Sequence, residues 1–294
     1  MSGTELTGKV VLVTGAGQGL GRAYALDAAG AGARVVVNDL SLDAAEAVVS
    51  SIEKAGGTAV PVAGSVADPT VASGLVAECV RSFGRVDGLV NNAGVLVEKQ
   101  AWETTADQSR AMVEVNVLGT IFCGHAAISR MREQGGPGSI VNVTSGTHLG
   151  QPGLAVYGAT KGAVASLTYG WALELAGTQI RANAISPLAV TAMKLPPHDG
   201  HARPEDVAAV VRYLLSDASA FMTGQIVRRA RTELGIVRHP VIGTMLSGHW
   251  DVSAIEDAFD GPLRGELEPV GFGAHLLLPA SAGPTAQTAA ATIP

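Results

Sequence analysis

The sequence predicts an α/β chain folded as a doubly wound parallel sheet, and three observations predict it. Short β-branched runs alternate with stretches of helical length, a glycine-rich loop follows the first run, and an aspartate closes the second. Strands alternating with helices join as right-handed βαβ units, which gives a parallel sheet covered on both faces, with ligands bound beyond its carboxyl edge. At 294 residues the chain is long enough for one large domain with a sizeable core and an appended segment.

The elements follow in order. KVVLV (9–13) is a continuous apolar run, as a strand buried on both faces requires, and TGAGQGLG (14–21) turns it into the first helix. RVVVN (34–38) and TAVPV (58–62) are the next strands, separated by a helix over 42–55 with apolar residues three and four apart. A helix over 69–83 leads to VDGLVNN (86–92), a long helix over 105–132 to SIVNV (139–143), and a helix over 155–176 to IRANAIS (180–186). PEDVAAVVRYLLS (204–216) opens with proline and two acids, which suit a helix start. GQIVRRA (224–230) reads as the last strand. Beyond it the pattern breaks up, apart from a short helix near 252–259; residues 1–237 are expected to form the domain and 238–294 an extension with a flexible end.

Composition narrows the partners. A formal net charge of -6, with no Lys/Arg cluster beyond RRAR at 228–231, argues against nucleic acid or an anionic membrane surface and for a small-molecule substrate. No uninterrupted apolar run approaches the ~18 residues of a membrane span. The opening MSGTELTGK lacks the basic-then-apolar layout of a signal peptide, and Cys79 and Cys123 lie too far apart to suggest a disulfide framework. A cytoplasmic protein with reduced thiols is expected.

TGAGQGLG places four glycines in eight positions. So bare a backbone suits close approach by something bulky and anionic, because glycines permit a sharp turn and leave the following helix N-terminus open to phosphate. A turn that merely lets strand and helix pack is the plainer alternative, and position decides between them. Asp39 stands 18 residues after Gly21, at the end of the second strand. A carboxylate there accepts hydrogen bonds from ribose hydroxyls and repels a 2′-phosphate, so NAD(H) is expected in preference to NADP(H). Gln18 adds no positive charge for an extra phosphate. Asp39 is also a candidate N-cap for the helix starting near Leu42.

Tyr157 and Lys161 are four apart in a helical stretch, so both project from one face. A free tyrosine titrates near pH ~10, and a nearby ammonium favours the phenolate, which makes the pair a general acid/base. Together with the pattern Thr14, Gly15, Gly19, Gly21, the NNAG at 91–94, Asn116 in VNVLG and Ser145 after the fifth strand, these residues resemble the short-chain dehydrogenase/reductase family over roughly residues 5–228. The resemblance implies a Rossmann sheet and a division of labour. Ser145 would hold the substrate oxygen, Tyr157 would exchange a proton with it, Lys161 would also bond the nicotinamide ribose, and Asn116 would hold a water that relays protons. Asn116 as a helix-kink residue satisfied by backbone is the alternative. For the cofactor the resemblance implies Gly15, Gln18, Gly19, Leu20 and Gly21, with Asp39 at the ribose and Ser65 and Val66 against the adenine. Asn92, Ala93 and Gly94 would pass beside it, Asn91 would pin strands, and backbone near Pro187, Leu188, Val190 and Thr191 would meet the carboxamide.

The sequence departs from the family pattern in places. Leu188 stands where glycine is common, Thr191 comes one residue early, GSV (64–66) lacks the frequent aspartate, and RRARTELG replaces a D-G-G ending, which bears on the subunit interface. VVVND, GSVAD and SPLAVTAM are similar to the branch containing (3R)-hydroxyacyl-CoA dehydrogenases. The segment from Thr191 to Pro204 is short for a lid, which suits a long or carrier-bound substrate, or a cleft closed by the extension. His148 either faces the substrate or is an ordinary loop residue, and His198 and His201 lack a third strong partner, so no metal is expected. The helices over 105–132 and 163–176 are expected to supply core and subunit contacts in a homodimer or homotetramer. The resulting expectation is an NAD(H)-dependent alcohol dehydrogenase or ketoreductase acting on a hydroxyacyl thioester, steroid or polyketide-type ketone. A non-redox enzyme of the same fold and a dinucleotide-binding regulator are the alternatives.

Overall fold

The valines of the first run lie at the centre of the sheet. β1 (Val10–Val13) pairs in parallel with β2 (Arg34–Asp39) on one side and β4 (Gly88–Asn91) on the other. β3 (Thr58–Ala63) flanks β2, while β5 (Gly138–Val143), β6 (Ile180–Leu188) and β7 (Ile226–Ala230) continue beyond β4, all parallel. The structure, a computed structural model, describes residues 5–188, 203–230 and 232–271. Its strand order is β3-β2-β1-β4-β5-β6-β7, with an eighth strand beyond β7. The chain leaves β1 toward one edge and returns beside it to build the other, which opens a crevice above the carboxyl ends of β1 and β4.

GQIVRRA is not the last strand. β8 (Glu233–Val237) folds back antiparallel on β7, with Gly235 opposite Arg228. Glutamate and glycine are poor strand formers, and β8 is an exposed edge with no buried face to impose apolar alternation, so the sequence carried little signal for it.

Helices cover both faces. α1 (Gly19–Gly30), α2 (Leu42–Lys54) and α7 (Pro204–Leu215) bury their apolar sides against Val11, Val13, Val35, Val37 and Ile185. α3 (Pro69–Phe83), α5 (Gly119–Gln134) and α6 (Ala155–Glu174) pack on Val10, Leu12, Leu89 and Ile140. Each fully buried Val, Leu or Ile contributes roughly 1.5–3 kcal/mol, so these two layers hold the fold. The Trp171 indole of α6 lies 2.0 Å from where a Cβ on Gly124 would stand, so only glycine lets α5 and α6 approach this closely. Cys79 and Cys123 are buried and unpaired, with burial pushing both thiols up to about 12.

The long helix expected over 105–132 is one rod in three parts. A Thr105–Gln108 capping box starts α4 (Ala106–Val113), a π-helical turn spans Glu114–Leu118, and α5 follows. By length and composition this rod could cross a membrane, although no uninterrupted apolar run suggested one. It buries Cys123, Ala127 and Met131 in the core and a hydrogen-bonded Asn116 at the π turn, as a helix of a folded domain does. The described part of the extension contains α8 (Val252–Asp260), capped by Asp251, yet Ala258 is its one buried apolar residue among those described. It meets the domain where the His239 ring lies 4.4 Å from that of Tyr169 and where Gly271 N–H donates to the Leu149 carbonyl at 3.0 Å. The low-complexity end (279–294) lies outside the described residues.

Candidate active site

The glycine loop is a cradle that side chains would fill. A Cβ on Gly21 would stand 2.2 Å from the Gly15 carbonyl oxygen, and one on Gly15 2.8 Å from Ala93 Cα. Gly15 also has φ +59° and Gly19 φ +55°, a left-handed backbone that glycine adopts at little cost. Nothing lies within 4 Å of where a Cβ on Gly19 would be. α1 begins there, with no side-chain cap on its first amides and no acid in its first turn, so its N-terminus opens on the cleft ready for an anion. Thr14 locks the loop to NNAG: its Oγ1 accepts from Asn92 N and Ala93 N at 3.1 Å, while Asn92 Nδ2 donates to the Thr14 and Gly15 carbonyls at 3.0 and 2.9 Å. These residues fit a dinucleotide, with backbone donors where its phosphates would sit.

At the next strand end Asp39 Oδ2 accepts from Gly17 N at 2.8 Å and Oδ1 from Ser41 N at 3.2 Å. The N-cap of α2 is Ser41, not Asp39. Asp39 is thereby fixed on the cleft wall, its remaining lone pairs open to ribose hydroxyls. Ser65 and Val66 line the same end.

The cleft has a volume of about 470 Å³ and runs from this cradle to Ser145, Tyr157 and Lys161. Every described residue expected at the cofactor lines it, including Gln18, Leu20, Gly94, Pro187 and Leu188; Val190, Thr191, His198 and His201 lie outside the described residues. Lys161 is 4% exposed, donates from Nζ to the Val143 carbonyl at 2.8 Å, and lies 5.7 Å from the centre of the Tyr157 ring. Asn116 stands one layer behind the wall. Its Oδ1 accepts from Val95 N at 2.8 Å, and its Nδ2 donates to the Val95 carbonyl and Thr160 Oγ1 at 2.9 and 3.0 Å, while the helix widens to a π turn around it. Asn91 pins β4 to β5 by donating to Asn142 Oδ1 at 2.9 Å.

A glycine cradle, a strand-end aspartate and a Ser–Tyr–Lys set on one wall have counterparts in known proteins. The short chain dehydrogenase family model matches residues 9–196. The chain belongs to that family. An uncharacterized oxidoreductase of Methylorubrum extorquens is 39% identical over 76% of this chain and 97% of its own length. The 3-oxoacyl-[acyl-carrier-protein] reductase FabG of Thermotoga maritima is 35% identical over 76% and 96%, and the meso-2,3-butanediol dehydrogenase of Serratia marcescens 36% over 74% and 90%. A crystal structure of a short chain dehydrogenase from Mycobacterium avium superposes with TM-score 0.84 at 32% identity, covering 92% of this chain and 99% of that one.

In this short-chain dehydrogenase the electrostatics differ from the expectation drawn from spacing. Burial pushes the Tyr157 phenol up to about 12, and the hydrogen bond from Ser145 pulls only part of the way back. Burial also pulls Lys161 down to about 8, so desolvation outweighs the ammonium's attraction for a phenolate. Both groups are thereby held closer to neutral. His148 is not among the residues that line the cleft: its Nδ1 turns onto the Ser145 carbonyl, beside the backbone turn where Thr147 N donates to Ser145 Oγ at 3.3 Å. Gly158 lets this turn lie on α6, since a Cβ there would stand 2.6 Å from the Thr147 carbonyl. The sequence reading missed Val95, Leu96, Glu98, Gln151 and Leu154 on the substrate side of the wall, and Arg228 from β7. Arg228 alone had a visible mark, the basic run that replaces D-G-G.

Proposed function

We propose that the protein is an NAD(H)-dependent oxidoreductase that interconverts a secondary alcohol and a ketone. The observation that carries this reading is the single cleft joining the uncapped N-terminus of α1 to the Ser145–Tyr157–Lys161 wall. Bound there, the dinucleotide supplies the hydride acceptor for oxidation and the donor for reduction. Gly15, Gly19 and Gly21 would admit its pyrophosphate, Asp39 would accept from the adenosine ribose, and Pro187 and Leu188 would lie on the nicotinamide side. Asp39 supports NAD(H) over NADP(H), because a carboxylate fixed at that strand end repels a 2′-phosphate.

Ser145 Oγ donates to the substrate oxygen and orients it. Tyr157 gives its phenolic proton to that oxygen in reduction and, as the phenolate, accepts one from it in oxidation. Lys161 in its charged form offsets the negative charge that develops on the phenol. Asn116 holds the Val95 loop and α6 in register, a positioning role. The relatives named for 3-oxoacyl-carrier and butanediol chemistry support ketone or alcohol substrates with a second oxygen function. Exposed Val113 and Leu118 on the rod and exposed Leu173 on α6 support a homodimer or homotetramer that uses these helices. Residues 1–237 are read as the dinucleotide-binding domain and 238–294 as its appendage. Two buried free thiols accord with a reducing, cytoplasmic setting.

Fluorescence titration with NADH and NADPH, followed by nicotinamide absorbance with 3-oxoacyl thioesters, ketosteroids and simple diketones, tests the reading. Tighter NADH binding and oxidation with at least one class are expected. Tight binding with no oxidation across the panel would overturn it.

A further inference from the structure

The outer edge of β8 is a strand side without a neighbour. Among the described residues no strand pairs beyond it, so alternate main-chain N–H and C=O groups of Glu233–Val237 point away from β7. Sheet edges are ordinarily guarded by a lysine, a proline or a bulge. The stretch 234–237 is Leu-Gly-Ile-Val, and its register with β7 runs without a bulge. Leu234 and Ile236 share one face, opposite Arg229 and Val227, and are 66% and 51% exposed. Val237 turns to the other face, where it packs with Ile226.

An edge of this pattern fits a second copy of itself. A two-fold axis through Gly235, perpendicular to the sheet, lays β8 antiparallel against the partner's β8. Leu234 then stands opposite the partner's Ile236 and Ile236 opposite the partner's Leu234, all four on one face, with glycine facing glycine between them. Registers centred on Leu234 or Ile236 instead set one of these apolar residues against Thr232 or Arg238. Charge agrees with the antiparallel direction. Glu233 and Arg238 stand at opposite ends of the strand, both exposed and neither in an ion pair among the described residues, and the pairing brings the acidic end of each strand to the basic end of the other.

We propose that two copies of the chain join edge to edge through β8, so that their sheets run on as one across a molecular two-fold. This contact is a sheet edge, distinct from the helix surfaces of the rod and α6, and it does not depend on what the cleft binds.

The test is cross-linking of the full-length Gly235→Cys and Leu234→Cys variants by mild oxidation and by a short bismaleimide, beside sedimentation of the wild type and of a Leu234→Lys/Ile236→Lys variant. Nothing lies within 4 Å of where a Cβ on Gly235 would stand, so a cysteine fits there, and the native Cys79 and Cys123 are buried. Directly opposed residues of an antiparallel pair have Cα atoms about 4.5–5.5 Å apart, within reach of a disulfide. Gly235→Cys should form covalent dimers at least about fivefold faster than Leu234→Cys, whose own copy is displaced along the strand. The double-lysine variant should keep the wild-type circular dichroism and sediment at about half the wild-type mass. A Gly235→Cys chain that does not cross-link, equal rates for the two cysteine variants, or an unchanged mass in the double-lysine variant would each overturn the proposal. Cross-linking at Gly235→Cys that appears only when the chain is cut after residue 271 would overturn it too, since the edge would then belong to the chain's own end.

Discussion

Around Gly15 and Asp39 the cleft is made of backbone held by short side chains: Thr14, Asn92 and Asp39 each bond two or more neighbouring main-chain groups. Around Leu188 and Arg228 it is made of side chains at the end of a sheet whose last described strand, β8, is exposed and is followed by an extension that, among the described residues, buries almost nothing. The first end can accept one shape of ligand. The second can change its side chains without disturbing the sheet, which is how one fold hosts many substrates.

The contrast breaks most visibly at Gly21. Gly21→Val places atoms where the Gly15 carbonyl and Asn92 Nδ2 now lie, so NADH affinity should fall by more than about 100-fold, with a lowered melting temperature. Near-native affinity by fluorescence titration would show that the cradle is not rigid. A smaller effect of opposite sign is expected at Lys161. Its folded pKa of about 8 lies below the 10.5 of the free side chain, so the unfolded chain binds the proton more tightly and the burial costs about 3 kcal/mol at pH 7. Lys161→Met relieves that cost but leaves the Val143 carbonyl without its donor, worth about 1–2 kcal/mol. A net gain of about 1–2 kcal/mol at pH 7 should appear in urea unfolding. Because wild-type stability recovers as pH rises from about 8 to about 10.5, the gain should disappear over that window, and a variant equally favoured at pH 7 and 10 would sink the argument.

Asp39→Ala sharpens the first half of the comparison. The NADH preference over NADPH should narrow by about tenfold, or about 1.4 kcal/mol, in parallel titrations; an unchanged ratio would mean that the adenosine site is built from other groups. Smallest of all, a chain ending at Val237 should lose less than about 1 kcal/mol in urea unfolding, because Ala258 is the one buried apolar side chain in the described extension. A larger loss would give the extension a structural share that its exposure denies.

Legibility in the sequence follows the same division. Gly15, Gly19, Gly21, Asp39, Tyr157 and Lys161 act through local spacing, and spacing is what a sequence displays; all of them line the cleft. Arg228 reaches it through the β6–β7 register, which no stretch of chain records by itself. The direction of the Tyr157 shift was hidden for a related reason. Position four residues from an ammonium is visible, but the depth of burial that outweighs it comes from the packing of distant segments. Asn116 shows the limit of motif reading, since its spacing does not disclose that its side chain bonds both main-chain groups of Val95.

The proposed proton exchange depends on the Tyr157 phenol. Tyr157→Phe removes only that hydroxyl, and it should be compared with the wild type by NADH titration and by turnover on the best ketone of the panel. NADH affinity within about twofold of the wild type, together with a loss of turnover of about 10³-fold, is the predicted result. A variant that binds NADH and keeps most of its rate would contradict the account.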